Sequence, residues 1–150
     1  MMAKFEIKID MKKIKATEEQ IIKGVQQGLE VCAEEIAEVE QKFIEITTGK
    51  GKYTPTGQLK NSVTIMPLEW SPYGASITVV PTVDYATYVN EGTGEHHPQG
   101  RPGGWIYTPD GVSYFFTWGI RPHYFADKTY DYIKPKAKDI VAEQIYKCIR

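Results

Sequence analysis

Thr17-Glu18-Glu19-Gln20-Ile21-Ile22-Lys23-Gly24-Val25-Gln26-Gln27-Gly28-Leu29-Glu30-Val31-Cys32, running on to Thr47, is the stretch on which the fold turns. Ile22, Val25, Leu29, Cys32, Ile36, Val39, Phe43 and Ile46 recur in it at alternating spacings of 3 and 4 residues. That is an unbroken apolar seam of an α-helix. Thr17 followed by Gln20 is a capping-box pattern that opens it, and Thr47, Thr48 and Gly49 close it. At a rise of about 1.5 Å per residue the helix is about 46 Å long, longer than a compact ball of this chain is wide. It therefore lies along an elongated molecule or reaches a second subunit.

Working outward, residues 4–10 place Phe5, Ile7 and Ile9 on one face and Lys4, Glu6 and Lys8 on the other, the period of a strand at a sheet edge. After the helix, residues 49–57 are dense in breakers and basic side chains. A single turn is expected over 58–62, then paired antiparallel strands over 63–70 and 75–81 joined by Ser71-Pro72-Tyr73-Gly74. Residues 85–90 read as a helical turn, and 91–104, with five glycines and two prolines, as a loop. Residues 105–108 and 112–118 flank Pro109-Asp110-Gly111, a hairpin signal in which Asp-Gly supplies the positive φ. Residues 123–149 return to helical spacing, with Pro135 expected to kink or break the run. The expected fold is α+β: a long N-terminal and a C-terminal helix packed on one face of an antiparallel sheet of about four to five strands. It forms a single domain over 1–150, with flexible loops near 48–57 and 91–104.

The composition sets limits. With 150 residues, 41% hydrophobic and 25% charged, the chain is long enough for one self-sufficient core and too ordinary for wholesale disorder. A net charge of -1 argues against a dedicated nucleic-acid binder. Cys32 and Cys148 are too few for a disulfide scaffold or a cysteine-rich zinc site. No apolar run approaches the roughly 18 residues that cross a bilayer, and no signal-peptide core opens the chain. A soluble protein of a reducing compartment is expected, with no membrane partner. Charge is segregated, -6 over 17–47 against +3 over 121–150, so the two long helices would attract across a sheet or a subunit boundary.

Few constellations point to catalysis. Gly49-Lys50-Gly51-Lys52-Tyr53-Thr54 lacks the spacing of a phosphate loop and follows a helix, so Lys50 and Lys52 read as a basic loop facing an acidic partner or a nucleic-acid backbone. Glu95-His96-His97 lies in a Gly/Pro loop without the helical spacing that lets two imidazoles share an ion. His123 reads as structural, and Asp84, Glu91 and Asp110 form no recognisable carboxylate pair. No cofactor or metal is expected. The aromatics say more: residues 105–132 hold ten of the eighteen in the chain. A strand with bulky residues on both faces needs cover on both, which marks Trp105, Phe115 and Trp118 as subunit-interface candidates.

Thr54-Pro55-Thr56-Gly57-Gln58-Leu59-Lys60-Asn61-Ser62-Val63, after a long helix, resembles the P-x-T-G-x-L-x-x-S-[IV] segment of the siphophage tail-completion family, the minor capsid or head–tail joining proteins of tailed phages and prophages. Tyr85-Ala86-Thr87-Tyr88-Val89-Asn90-Glu91-Gly92-Thr93-Gly94 is similar to its Y-A-x-x-[VL]-x-x-G-T stretch, although here the acid stands immediately before the glycine. Gly119-Ile120-Arg121-Pro122-His123-Tyr124-Phe125 resembles the family's entry to a C-terminal helix, without the usual second proline. The resemblance implies a non-enzymatic virion protein of the neck or tail top, present in the bacterial host cytoplasm during assembly. It implies a cyclic homo-oligomer, a hexamer to match a tail, that meets connector, tail terminator or tail tube proteins, with DNA only non-specifically near its lumen. Pro55, Thr56, Gly57, Leu59 and Ser62 would be turn and packing positions, and Tyr85, Tyr88, Glu91, Gly92, Thr93 and Gly94 would shape the loop before the hairpin. Pro122 and Phe125 would set the last helix. Two rivals remain: a small prophage-encoded hydrolase or nuclease using Glu91, His97 and His123, and a monomeric module that binds a host protein through the aromatic hairpin.

Overall fold

Thr17 starts the first helix as its sequence requires. Its backbone N–H donates to Gln20 Oε1, and the Gln20 N–H donates back to Thr17 Oγ1, each at 3.2 Å. The computed structural model describes residues 17–48 and 57–149. The strand expected over 4–10, Lys50, Lys52, Pro55 and Thr56 lie outside the described residues. Helix α1 spans Glu18–Thr48, followed by the turn α2 over Gln58–Asn61. Strands β1 (Val63–Ile65), β2 (Glu69–Ser71), β3 (Gly74–Ser76) and β4 (Val79–Pro81) come next. Helix α3 (Ala86–Glu91) and a 3-10 turn (Gly94–His96) lead to β5 (Trp105–Tyr107) and β6 (Phe115–Thr117), and α4 (Phe125–Ile149) closes the chain.

The buried face of α1 consists of Ile21, Gly24, Val25, Gly28, Leu29, Cys32, Ala33, Ile36, Glu40 and Ile44. The expected seam holds in the middle and slips at both ends: Ile22 and Ile46 are exposed, and Ile21 and Ile44 replace them. A helix turning every 3.6 residues drifts about 20° per heptad from a 3.5-residue repeat, so a straight helix presents a slightly different stripe. Against that stripe α4 supplies Ile133, Ala137, Val141 and Ile145, and the first hairpin adds Ala75, Ile77 and Val79.

Two glycines set how closely the helices meet. A Cβ on Gly24 would stand 2.8 Å from the Ile145 Cα, and one on Gly28 would stand 2.9 Å from Val141 Cγ1. Helix α4 therefore packs on the α1 backbone itself along this stretch. Gly24→Val should destabilise the chain by about 1–3 kcal/mol, because the added methyls displace backbone rather than a flexible side-chain end. Thermal melts of the purified variant check this, and an unchanged melting temperature would refute the close approach.

Pro135 does not break α4. The helix continues unbroken from Phe125 to Ile149, and Pro135 is exposed, so the carbonyl left without an N–H donor lies on the solvent side. Charge segregation contributes less than expected. The ion pairs of α1 among the described residues run within it, Lys42 to Glu38 at 2.9 Å, and to α2, Lys60 to Glu45 at 3.1 Å. The α1–α4 contact is mainly apolar, with the Cys148 thiol donating to Gln27 Oε1 at 3.1 Å near one end.

The fold is α+β as expected, with a divided sheet. β1 pairs antiparallel with β4, β2 with β3, and β5 with β6, giving three two-stranded ladders. The first two belong to one hairpin. Met66 still donates to the Thr78 carbonyl at 2.8 Å, and Glu69 is already opposite Ser76, so Pro67 and Leu68 share the single partner Ile77. This is a bulge at a residue that has no N–H to give a ladder. The third ladder is remote because α3 and the turn after it carry the chain away before β5. Its connection also differs from expectation: the ladder closes at Tyr107 and Phe115, and Gly111 alone takes a positive φ, of 74°. Asp110 instead accepts the N–H groups of Val112 and Ser113, at 2.9 and 2.7 Å, which holds its carboxyl down at about 2.

Candidate functional site

Three stretches singled out in the sequence, here 57–63, 85–94 and 119–126, meet around one small core. Leu59 from α2, Ala86 from α3, and Phe125 and Ala126 from α4 bury one another together with Ile44 of α1. Gly57 has a φ of 78°, the left-handed shape that its turn demands. Ser62 ends α2 by donating its hydroxyl to the Leu59 carbonyl at 2.7 Å. Tyr85 reaches back to α2, its hydroxyl donating to Gln58 Oε1 at 3.2 Å, and Tyr88 is exposed.

Residues 89–95 and 118–124 run side by side and are joined by main-chain bonds. His123 and Tyr124 donate to the carbonyls of Val89 and Asn90, both at 3.0 Å. The Thr93 N–H donates to the Ile120 carbonyl at 2.9 Å, and Thr93 Oγ1 accepts the Ile120 N–H at 2.9 Å. Glu95 donates to the Trp118 carbonyl at 3.1 Å. Such a close seam leaves no room for side chains. A Cβ on Gly94 would collide with the Trp118 carbonyl and one on Gly119 with the Thr93 carbonyl, and both residues have positive φ, 61° and 109°. Gly92 lies close as well, a Cβ there standing 2.8 Å from the Ile120 carbonyl oxygen and 2.9 Å from Pro122 Cδ. Glu91 thus ends a short helix, α3, that main-chain bonds tie to the entry to α4.

Asn90, which sequence reasoning passed over, ties this seam to α4. It is buried, and its Oδ1 accepts the N–H of Ala126 at 3.0 Å, one of the donors a helix start leaves without a partner. Asn90→Ala should cost about 1–3 kcal/mol by orphaning that N–H, readable as a lower denaturation midpoint. Tyr124, next to the helix start, holds a φ of 53°, a strained value for a residue with a side chain.

One cleft of about 270 Å³ opens here, lined by Asn90, Glu91, His96, His97, Pro98, Tyr124 and Asp127. His97 Nδ1 accepts the Gln99 N–H at 3.1 Å, so the neutral imidazole carries its proton on Nε2, which lies 3.7 Å from Glu91 Oε2. His123, expected beside them in the hydrolase reading, does not line this cleft. Its Nδ1 is buried without a partner, and burial lowers its pKa while the Thr47 carbonyl partly raises it. Asp127 takes its place in the lining, a long 3.5 Å from Asn90 Nδ2. The signal in sequence was its position in the first turn of α4, where an acid suits the helix dipole. Among the described residues, no three His, Cys, Asp or Glu side chains converge closely enough to hold a metal ion. Cys32 is buried, and that burial, then Glu35, pushes its thiol up to about 11, the mark of an inert packing residue.

The aromatic hairpin is the other candidate. Among the described helices and strands, β5 and β6 pack substantially only on each other. Ile106 and Phe116 stand opposite one another, 65% and 57% exposed, and Tyr114 and Trp118 are 78% and 52% exposed. On the other face Tyr107 and Phe115 stack at 5.8 Å, with Phe115 also exposed. Trp105 departs from the interface expectation: it is half-buried, packed against Gly94 with Arg101 at 5.9 Å over its ring.

Comparison with models of protein families, with curated proteins and with solved structures finds no match for this chain.

Proposed function

We propose that this chain is a non-enzymatic structural subunit of a tailed phage or prophage particle, forming a closed ring, six-fold to match a tail, at the neck or tail top. In that position it joins a connector to a tail terminator or tail tube. One observation carries the reading: a hairpin that leaves Ile106, Tyr114, Phe116 and Trp118 exposed on one face and Phe115 on the other, with no other described helix or strand packed substantially on it. Monomers rarely leave such a surface to water, whereas a subunit that completes itself on assembly requires one. The convergence of the three family-like segments on one core also supports it, since residues kept for packing explain those motifs without any catalytic role. Among the described residues no helix is long and apolar enough to cross a membrane.

Light scattering with negative-stain imaging of the purified protein tests the reading. Annular particles with a mass that is a multiple of 17.0 kDa are expected. A 17.0 kDa species at every concentration would refute self-assembly. A second reading, hydrolysis, retains one observation in its favour, the Glu91–His97 pair inside a cleft. Under the structural reading His97→Ala leaves particle formation unchanged, and purified wild-type protein turns over neither esters nor nucleic acid.

A further inference from the structure

The two hairpins of this chain treat their edges differently. The first carries Pro67, Glu69 and Pro81, and a bulge interrupts it. Prolines, charges and bulges are the devices by which edge strands avoid pairing with other chains. Residues 112–120, Val-Ser-Tyr-Phe-Phe-Thr-Trp-Gly-Ile, contain no charge and no proline. β6 lies within them, and among the described residues its only strand partner is β5. Asp110 takes up the amides of Val112 and Ser113, and Glu95 and Thr93 take up Trp118 and Ile120, so 114–117 is the stretch whose outer edge has no strand beside it among the described residues.

We propose that the outer edge of β6 and the uncovered face beside it are occupied by a second copy of this chain, whose main chain extends the β5–β6 ladder. The proposal rests on the ring-subunit reading and names the surface that closes the contact. Area supports it. Ile106, Tyr114, Phe115, Phe116, Trp118 and Ile120 together expose on the order of 700 Å², taking about 150–250 Å² per aromatic side chain. Summed over the two faces, that approaches the roughly 800 Å² per partner of a stable interface. Main-chain pairing also explains why the exposed residues sit on both faces: a ladder continued sideways brings cover to both at once, which docking onto one face does not.

The test compares wild type with Phe116→Lys/Trp118→Lys, and with Tyr114→Lys as a second variant; all three side chains are exposed, so the subunit fold, followed by circular dichroism, is expected to persist. Light scattering should give an oligomer for wild type and a 17.0 kDa monomer for the variants. Backbone amides of residues 114–117 should exchange with deuterium about tenfold slower or more in assembled wild type than in the dispersed variant. Variants that keep the wild-type mass, or β6 amides that exchange equally fast in both states, overturn the proposal and leave the ring reading standing. A wild type that stays monomeric at all concentrations overturns both.

Discussion

Glu40→Gln is expected to stabilise the subunit by about 3 kcal/mol at pH 8 and to change it little at pH 4. Glu40 sits on the inner face of α1, one turn from Ile36 of the larger core and one from Ile44 of the smaller, and is 4% exposed. The antiparallel register that sets Gly24 against Ile145 and Gly28 against Val141 brings Thr129 of α4, also buried, level with it. Burial without a compensating cation raises its carboxyl from 4.5 to about 7. The folded state therefore holds the proton more tightly than the unfolded chain between those values. Its contribution to stability is fully present below pH 4.5 and is lost as pH rises through 7. His123 works in the opposite sense: burial lowers its pKa, so its contribution is present above the ordinary histidine value and is lost as pH falls. Denaturant titrations of wild type and variant across pH 4–8 isolate Glu40, because His123 cancels in the difference. A difference independent of pH would show that Glu40 is ionised and solvated in the folded state.

Phe125→Ala should cost about 3–5 kcal/mol, whereas Phe116→Ala should cost less than about 0.5 in the dispersed subunit. Both residues belong to the same aromatic-rich stretch, and their environments differ completely. Phe125 is fully buried where α1, α2, α3 and α4 meet, and its carbonyl accepts the Thr129 hydroxyl at 2.7 Å. Its removal leaves a cavity among Ile44, Leu59, Ala86 and Ala126, side chains carried on separate elements that close it only in part. Phe116 is mostly in water. Equal losses for the two would mean that the hairpin is covered within the monomer, which would remove the observation on which the assembly reading rests.

Local features were legible where a residue acts on its own neighbours. The Thr17–Gln20 cap, the extent of α1, the turns over α2 and α3, and the left-handed Gly57 all follow from short-range geometry. The strand pairing of residues 63–70 with 75–81 was legible too, but its division was not. Pro67 is plain in the sequence, yet whether it ends a strand or sits in a bulge depends on the register that Met66 and Glu69 adopt across the hairpin. Pro135 misled for the same reason: the intrinsic penalty of proline in a helix is real, and packing of Ile133, Ala137 and Val141 against α1 overrides it.

The site was partly legible. Glu91 and His97 stood out by residue type, and the structure brings them together. Asn90 and Asp127 join them only because main-chain bonds lay residues 89–95 along 118–124. Gly24 and Gly28 read as weak points in a helix until α4 is set against them, and Glu40 reads as one of eight acids on a solvated helix. By itself the sequence determined the helices, their caps, the turns and the density of aromatics, because these depend on residues a few positions apart. Only the tertiary structure decided which carboxylate is buried, which glycines admit a second helix and which aromatic strand is left uncovered, because each depends on what a distant segment brings alongside.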